Sequence, residues 1–303
     1  MFSYRHAFHA GNHADVLKHM VLVQLLSYLN QKDTAYMVID THAGAGVYQL
    51  DGEYASKSGE ANEGIARLWD RKDLPAPVKA YVQQIKAMNP AGSLRHYPGS
   101  PFLAERVMRE QDRLRLFELH PTEGKILDEN IRRLEAHAAA NGQRTRGKRI
   151  LAERADGFAG LKALLPPPSR RGLVLIDPPY EDKDDYRKVK VAIEDAQKRF
   201  AGGTYAVWYP ALGRLESQQL PERLKRVAQS EWLHVTLHIG APGDDGRGLV
   251  GSGMFIINPP WTLEATLKDT MPWLTQALAR DSSARFVLQT GAAAKPKDRA
   301  ERE

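Results

Sequence analysis

Asp177, Pro178, Pro179 and Tyr180 stand directly after the apolar run Leu173-Val174-Leu175-Ile176. The run reads as a short buried strand, and neither proline can donate a ladder hydrogen bond, so the strand must stop there. A carboxylate, a stiff turn with free prolyl carbonyls and an aromatic face are thus presented together at the carboxyl edge of a parallel sheet, where open α/β folds bind ligands. That set suits the exocyclic amine of a nucleobase. The Asp177 carboxylate and the Pro178 carbonyl can each accept one of its two N–H bonds, with the Tyr180 ring stacked on the base. The lone pair of an adenine N6 is delocalised into the ring. Two acceptors on its hydrogens draw the nitrogen toward a tetrahedral geometry and free that pair for attack. The chemistry expected is methyl transfer to an amine; the plain alternative is a strand-ending Asp-Pro turn.

Strand-like runs alternate with helix-like stretches, the pattern of a doubly wound sheet. The predicted strands are Tyr36–Asp40, Arg115–Leu119, Arg149–Glu153, Leu173–Asp177, Thr204–Tyr209, Leu233–Ile239 and Gly253–Asn258. The last two lack a helix-length spacer and read as a wide hairpin across Gly240–Gly251. Seven strands ending in a hairpin, with only the last antiparallel, match an α/β class I methyltransferase sheet of Rossmann-like type. Ala14–Leu29 keeps helical apolar spacing, and Asn12 could cap it. More than about 70 residues separate the first two strands, too many for one connection, so 52–95 is read as an inserted small helical subdomain. Its helix-like segments are Glu63–Trp69 and Val78–Met88. The catalytic domain is then 1–51 with 96–290, and the small, charged tail 291–303 is expected to be disordered.

The cofactor side follows from the strand ends. Gly44-Ala45-Gly46 after the first strand allows close backbone approach to a ligand. The third glycine of a dinucleotide motif is missing, because position 49 is Gln49. S-adenosylmethionine carries no phosphate and can do without it. Glu118 ends the second strand, where an acid commonly holds ribose hydroxyls. Asp156-Gly157 follows the third, where an acid can accept the cofactor's adenine amine. Asn258-Pro259-Pro260-Trp261 imitates the Asp177 motif, but the end of an antiparallel last strand lies at the opposite edge of the sheet, so a structural turn is expected there.

Composition narrows the rest. Among 303 residues there is no cysteine, which excludes disulfides, thiolate metal sites and cysteine nucleophiles. The net charge of +6 and pI near 9.3 favour a polyanionic partner such as nucleic acid. No apolar signal core opens the chain and no run reaches transmembrane length, so no membrane is expected and a cytoplasmic location fits. His6, His9, His13 and His19 crowd the N-terminus. His9 and His13 have the spacing of a helical metal pair, yet no further ligand motif accompanies them, so no metal is predicted. Hydrogen bonding, or partial positive charge near phosphate, is the expected use of these histidines. Tyr4, Arg5, His6 and His9 combine an aromatic ring with cationic or near-cationic groups and suit an extruded adenine in RNA. The basic run Arg144, Arg146, Lys148 and Arg149 reads either as a solvated loop or as an RNA-backbone contact.

These residues together resemble one family. Tyr4-Arg5-His6, the block from His9 to His19, Asp40 to Gly46, Tyr97 to Pro101, Glu118 to Pro121, Glu153 to Phe158 and Asp177 to Tyr180 are similar to the RlmJ family of bacterial 23S rRNA adenine-N6 methyltransferases. The resemblance runs from the N-terminus to about Trp273. It implies that Lys18, His19, His42, Ser100, Glu118, Asp156 and Gly157 line the S-adenosylmethionine site, with Asp177 as catalytic acid or base and Tyr4 near the target adenine. It also implies action on 23S rRNA during large-subunit maturation, on protein-free RNA or an early assembly intermediate. A monomer without an obligatory protein partner is expected. Two other readings stand beside it: a DNA adenine-N6 methyltransferase, which would usually carry a separate target-recognition domain, and a non-catalytic RNA-binding or assembly protein, which would have lost Asp177 or the cofactor acids.

Overall fold

The apolar run ahead of Asp177 lies in the middle of the sheet. In the computed structural model, which describes residues 6–51, 59–140, 148–242 and 249–294, Gly172–Ile176 is a strand with every residue buried. Leu173 and Leu175 feed one hydrophobic cluster, Val174 and Ile176 the other. A strand covered on both faces needs no polar alternation, which is why its sequence is apolar throughout.

Numbered along the chain, the strands are β1 (Met37–Asp40), β2 (Val47–Gln49), β3 (His96–Pro98), β4 (Arg113–Phe117), β5 (Ile150–Glu153), β6 (Gly172–Ile176), β7 (Thr204–Pro210), β8 (Trp232–His238), β9 (Gly251–Ile257) and β10 (Arg285–Gly291). Eight form one sheet, ordered β10-β8-β9-β7-β6-β1-β4-β5. β5, β4, β1, β6 and β7 are parallel, while β9 runs antiparallel to both β7 and β8. All seven expected strands are present, the seventh reversed as expected.

β10 is an addition. It pairs antiparallel with β8 at the sheet's edge, and Gly291, assigned above to the tail, is paired with Trp232. Only Phe286 and Leu288 of this strand pack on the core, so its apolar signal is weak. Residues 295–303 lie outside the described residues.

The helices are α1 (His13–Leu29), α2 (Ile65–Trp69), α3 (Ala76–Ala87), α4 (Ser100–Val107), α5 (Pro121–Ala140), α6 (Gly157–Leu164), α7 (Asp184–Arg199), α8 (Leu215–Lys225) and α9 (Leu263–Leu278). α1 starts at its cap: the Asn12 side chain accepts from the backbone N–H of Ala14 at 3.0 Å and of Asp15 at 2.9 Å. Thirteen of its 17 residues are buried, because α3, α4, β9 and α9 all pack on it. A helix enclosed on every side shows no single apolar face.

The long interval between β1 and β4 leaves through β2 and returns through β3, which pair antiparallel as a separate ribbon. Between them, Ile65, Leu68, Tyr81 and Ile85 enter the same cluster as α1 and one face of the sheet. The helical segment therefore shares its core with the sheet. It is also tied to the N-terminal segment: Glu60 accepts from His9 at 2.9 Å and from Asn12 at 2.9 Å, and the Ile65 N–H donates to the Gly11 carbonyl at 2.8 Å.

The turn after β5 leans directly on the turn after β1. A Cβ at Gly157 would lie 2.1 Å from the Thr41 carbonyl oxygen, a backbone atom unable to swing aside. Gly157→Ala should therefore cost about 1–3 kcal/mol of stability, read as a lower urea midpoint. An unchanged midpoint would show that the two turns can part freely.

Candidate active site

The carboxyl ends of β1, β4, β5 and β6 open into one cavity of 340 Å³. Lys18, His19, His42, Gly44, Ser100, Glu118, Asp156, Gly157, Asp177 and Pro178, all singled out in the sequence, line it. β4 is the middle link: it ends at Phe117, so Glu118 is the first residue beyond the strand and faces the turn after β1.

Glu118 is gripped by backbone on both oxygens. The N–H groups of Gly44 and His120 each donate to it at 2.7 Å. Burial outweighs these two bonds and raises its pKa. A carboxylate so held is fixed in orientation and keeps lone pairs for a diol. Gly44 has φ 60°, and a Cβ there would meet the Tyr48 hydroxyl at 2.2 Å, so that turn requires glycine. Asp156 caps α6, accepting from the Phe158 N–H at 2.8 Å through one oxygen. Asp40 accepts from the Ser100 hydroxyl at 2.7 Å and from the His42 N–H at 3.2 Å, and burial raises its pKa to about 6.

Asp177 sits where β6 ends, its side chain 13 % exposed. Its partner is Lys18, whose Nζ lies 2.5 Å from Asp177 Oδ2 and 3.0 Å from Asp15 Oδ1. Nζ is also 5.5 Å from the Trp208 ring centroid. Burial alone would lower the lysine's pKa, but Asp15 and Asp177 together hold it above its ordinary value. At Asp177 burial wins over the lysine, and its pKa is raised. At Asp15 burial loses to His6 and Lys18, and its pKa falls well below the usual carboxylate range. Asp15 also accepts from His6 Nε2 at 3.0 Å and from the Gly11 N–H at 2.9 Å. It is the charged residue of this network that sequence reasoning missed. Its three-residue spacing to Lys18 on α1 was the available signal.

Several expectations need correction. Tyr180 is 2 % exposed; its ring packs on Tyr186 and Trp208, and its hydroxyl donates to the Trp208 carbonyl at 2.7 Å. It does not line the cavity and cannot stack on a base from there. Its role is to hold the turn, which it enters at φ 53°. His6 does line the cavity, whereas His9 is engaged by Glu60. Tyr4 and Arg5 lie outside the described residues. Burial lowers the pKa of His42 to about 4 and holds that of His19 well below its ordinary value, so both are neutral at pH 7 and bring no charge to a phosphate. His13 and His9 take different partners, the Leu249 carbonyl and Glu60. The Arg149 guanidinium is engaged within the fold, donating to Glu105 and to the carbonyls of Glu105 and Met108. Arg144 and Arg146 lie outside the described residues. Asn258 sits away from the cavity, its side chain donating to the Gly202 carbonyl at 3.1 Å.

Seven carboxylates and two lysines line the cavity, which is the wrong charge for a pyrophosphate and the right one for hydroxyl and amine donors. Glu118 has the geometry of a diol acceptor, the Gly44 turn allows close backbone approach, and Asp177 adds a carboxylate to the cavity wall. Combined with the order of the sheet, this fits S-adenosylmethionine and defines the chain as a class I S-adenosylmethionine-dependent methyltransferase.

The family model described as "Ribosomal RNA large subunit methyltransferase D, RlmJ" matches residues 33–288. The chain is 47% identical over 278 residues to Ribosomal RNA large subunit methyltransferase J of Escherichia coli (strain K12), covering 92% of this chain and 94% of that one. It is 44% identical to the Haemophilus influenzae protein of the same name, over 95% of this chain and 98% of that one. A crystal structure of a Legionella pneumophila protein superposes with a TM-score of 0.81 at 35% identity, covering 95% and 99% of the two chains. The chain belongs to the RlmJ family.

Two measurements test the site. Glu118→Ala removes the clamp on Gly44 and the diol acceptor together, so the dissociation constant for S-adenosylhomocysteine should rise by an amount worth about 1.5–3 kcal/mol. Unchanged affinity in calorimetry would remove Glu118 from the site. Lys18→Met should act through Asp177. The ammonium favours the charged carboxylate, so its loss raises the Asp177 pKa further, and the acid limb of the pH–rate profile should move to higher pH. An acid limb that stays in place would show that Asp177 does not titrate in it.

Proposed function

We propose that this methyltransferase acts on the exocyclic N6 of an adenine in large-subunit ribosomal RNA. The observation that carries the reading is Asp177 at the mouth of β6, ion-paired to Lys18 and followed by a prolyl carbonyl without a competing N–H. The names of the relatives, both ribosomal RNA large subunit methyltransferases, support RNA as the polymer.

When bound, S-adenosylmethionine supplies an electrophilic methyl group. The chain's own residues prepare the acceptor. Asp177 takes one N–H of the amine and the Pro178 carbonyl the other, which localises the nitrogen lone pair along the direction of attack. Lys18 holds one carboxylate oxygen and leaves the other for the base. The N–C bond formed is matched by loss of the donor's methyl–sulfur bond, whose electron pair stays on sulfur, and one N–H bond of the amine breaks, its proton passing to the Asp177 carboxylate or to water. Most of the acceleration comes from placement of the reacting atoms. The target base must leave its stack to reach Asp177. His6 is the described residue of the N-terminal segment at the cavity, and Tyr4 and Arg5 immediately precede it. The enzyme works in the cytoplasm as a monomer, on protein-free 23S rRNA or an early assembly intermediate. No helix among the described residues is long and apolar enough to cross a membrane.

Asp177→Ala should abolish methylation while changing affinity for S-adenosylhomocysteine by less than about tenfold, since Lys18 keeps Asp15 as partner. Asp177→Asn should be severely impaired as well, because an amide offers one acceptor oxygen and a competing donor. The substrate is tested with labelled cofactor on protein-free 23S rRNA and on duplex DNA. Label at adenine N6 of the RNA is expected. Label confined to DNA, or a near-normal rate for Asp177→Asn, would overturn the proposal.

A further inference from the structure

The Asn258-Pro259-Pro260-Trp261 turn has no part in the chemistry, yet it is built with care. Asn258 adopts φ 54°, and its side chain donates to the Gly202 carbonyl at 3.1 Å. Its N–H donates to the Glu231 carbonyl at 2.8 Å, and its own carbonyl accepts from the Thr204 hydroxyl at 3.0 Å. Two prolines then stiffen the chain. This mount holds Trp261 out from the surface, 82 % exposed. A single exposed aromatic residue is ordinary. Here it borders a second cavity, of 470 Å³, whose lining among the described residues includes Lys32, Arg170 and Arg171 and no acidic residue. Arg171 builds the wall by donating to the Leu29 and Lys32 carbonyls, while the Lys32 and Arg170 side chains are exposed.

A rigidly mounted indole beside exposed cations matches the chemistry of a single-stranded nucleic acid: a flat base to stack and phosphates to neutralise. Gly172 opens β6 and lines this cavity, and Asp177 follows the other end of the same strand, so the two residues lie about 17 Å apart at 3.3 Å per residue. We propose that this cavity is a second RNA-binding site, in which Trp261 stacks on a base of the substrate rRNA remote from the target adenine and Lys32 and Arg170 hold the adjoining phosphates. This rests on rRNA being the substrate. The site anchors a long RNA at two points and leaves the methyl-transfer chemistry untouched.

The test uses the full chain with Trp261→Ala and with Lys32→Ala/Arg170→Ala. Both should unfold at the wild-type temperature, since the altered side chains are exposed. On protein-free 23S rRNA, KM should rise by about tenfold for Trp261→Ala, with kcat and affinity for S-adenosylhomocysteine unchanged. The double variant should lower the slope of log affinity against log salt by about 0.7 for each single-strand phosphate released. An adenine-bearing oligonucleotide of a few residues, too short to reach both ends of β6, should be methylated equally by all three proteins. RNA affinity and salt slope are read without turnover, so they judge this site even if the wild type fails to methylate rRNA, a result that would strike the proposed function instead. Wild-type affinity and salt slope in both variants would overturn the second site. So would a change confined to oligomeric state, which would assign the patch to a second copy of the chain.

Discussion

One ammonium group taken out of water organises the mouth of this sheet. Lys18 lies between Asp15 and Asp177, and each of the three would be costly to bury alone. The arrangement is tolerable only if the carboxylates stay within hydrogen-bonding distance, which binds the first turns of α1 to the end of β6. That requirement reaches outward. Asp15 must be fixed, so it accepts from Gly11 and His6, and Asn12 must set the start of the helix. Glu60 in turn holds Asn12 and His9. The residues that give Asp177 its orientation therefore come from two separate stretches of chain, 6–18 and the turn at Glu60.

What the sequence disclosed and what it hid divide along physical lines. The Asp177 turn, the Gly44 turn and the acids after β4 and β5 were legible because strand ends and glycines announce themselves locally. The seven main strands were legible because both faces of the sheet are covered. β10 was not, because an edge strand with two inward side chains carries little apolar signal. β2 and β3 are too short to show alternation. Tyr180 was misplaced because a tyrosine beside an aspartate has the same composition whether it faces a ligand or a core. Its burial is decided by Tyr186 and Trp208, distant in sequence and positioned only by the fold. Glu118 lines the cavity with the other strand-end acids, but its grip on two backbone N–H groups depends on the turn beside it.

The two ends of the parallel strands differ in charge. Among the described residues, carboxylates dominate the end where Asp177 and Glu118 lie, and lysine and arginine without acids line the other. A chain with a net charge of +6 thus keeps its positive character away from the chemistry. An acidic pocket suits a cofactor without phosphate. The acceptor's polymer must then be attracted by surfaces beyond the pocket, since carboxylates at the reaction centre repel its backbone.

α1 has a consequence for how the molecule comes into being. It is made early and is apolar around most of its circumference, yet its neighbours include α3, β9 and α9, the last ending at Leu278. A ribosome releases this helix long before it releases β9 and α9. Until then, Leu17, Val21 and Leu25 have no complete set of neighbours, and the nascent chain must carry an adhesive segment through most of its own synthesis. The packing of this helix is complete only once β9 and α9, far along the described chain, have docked on it.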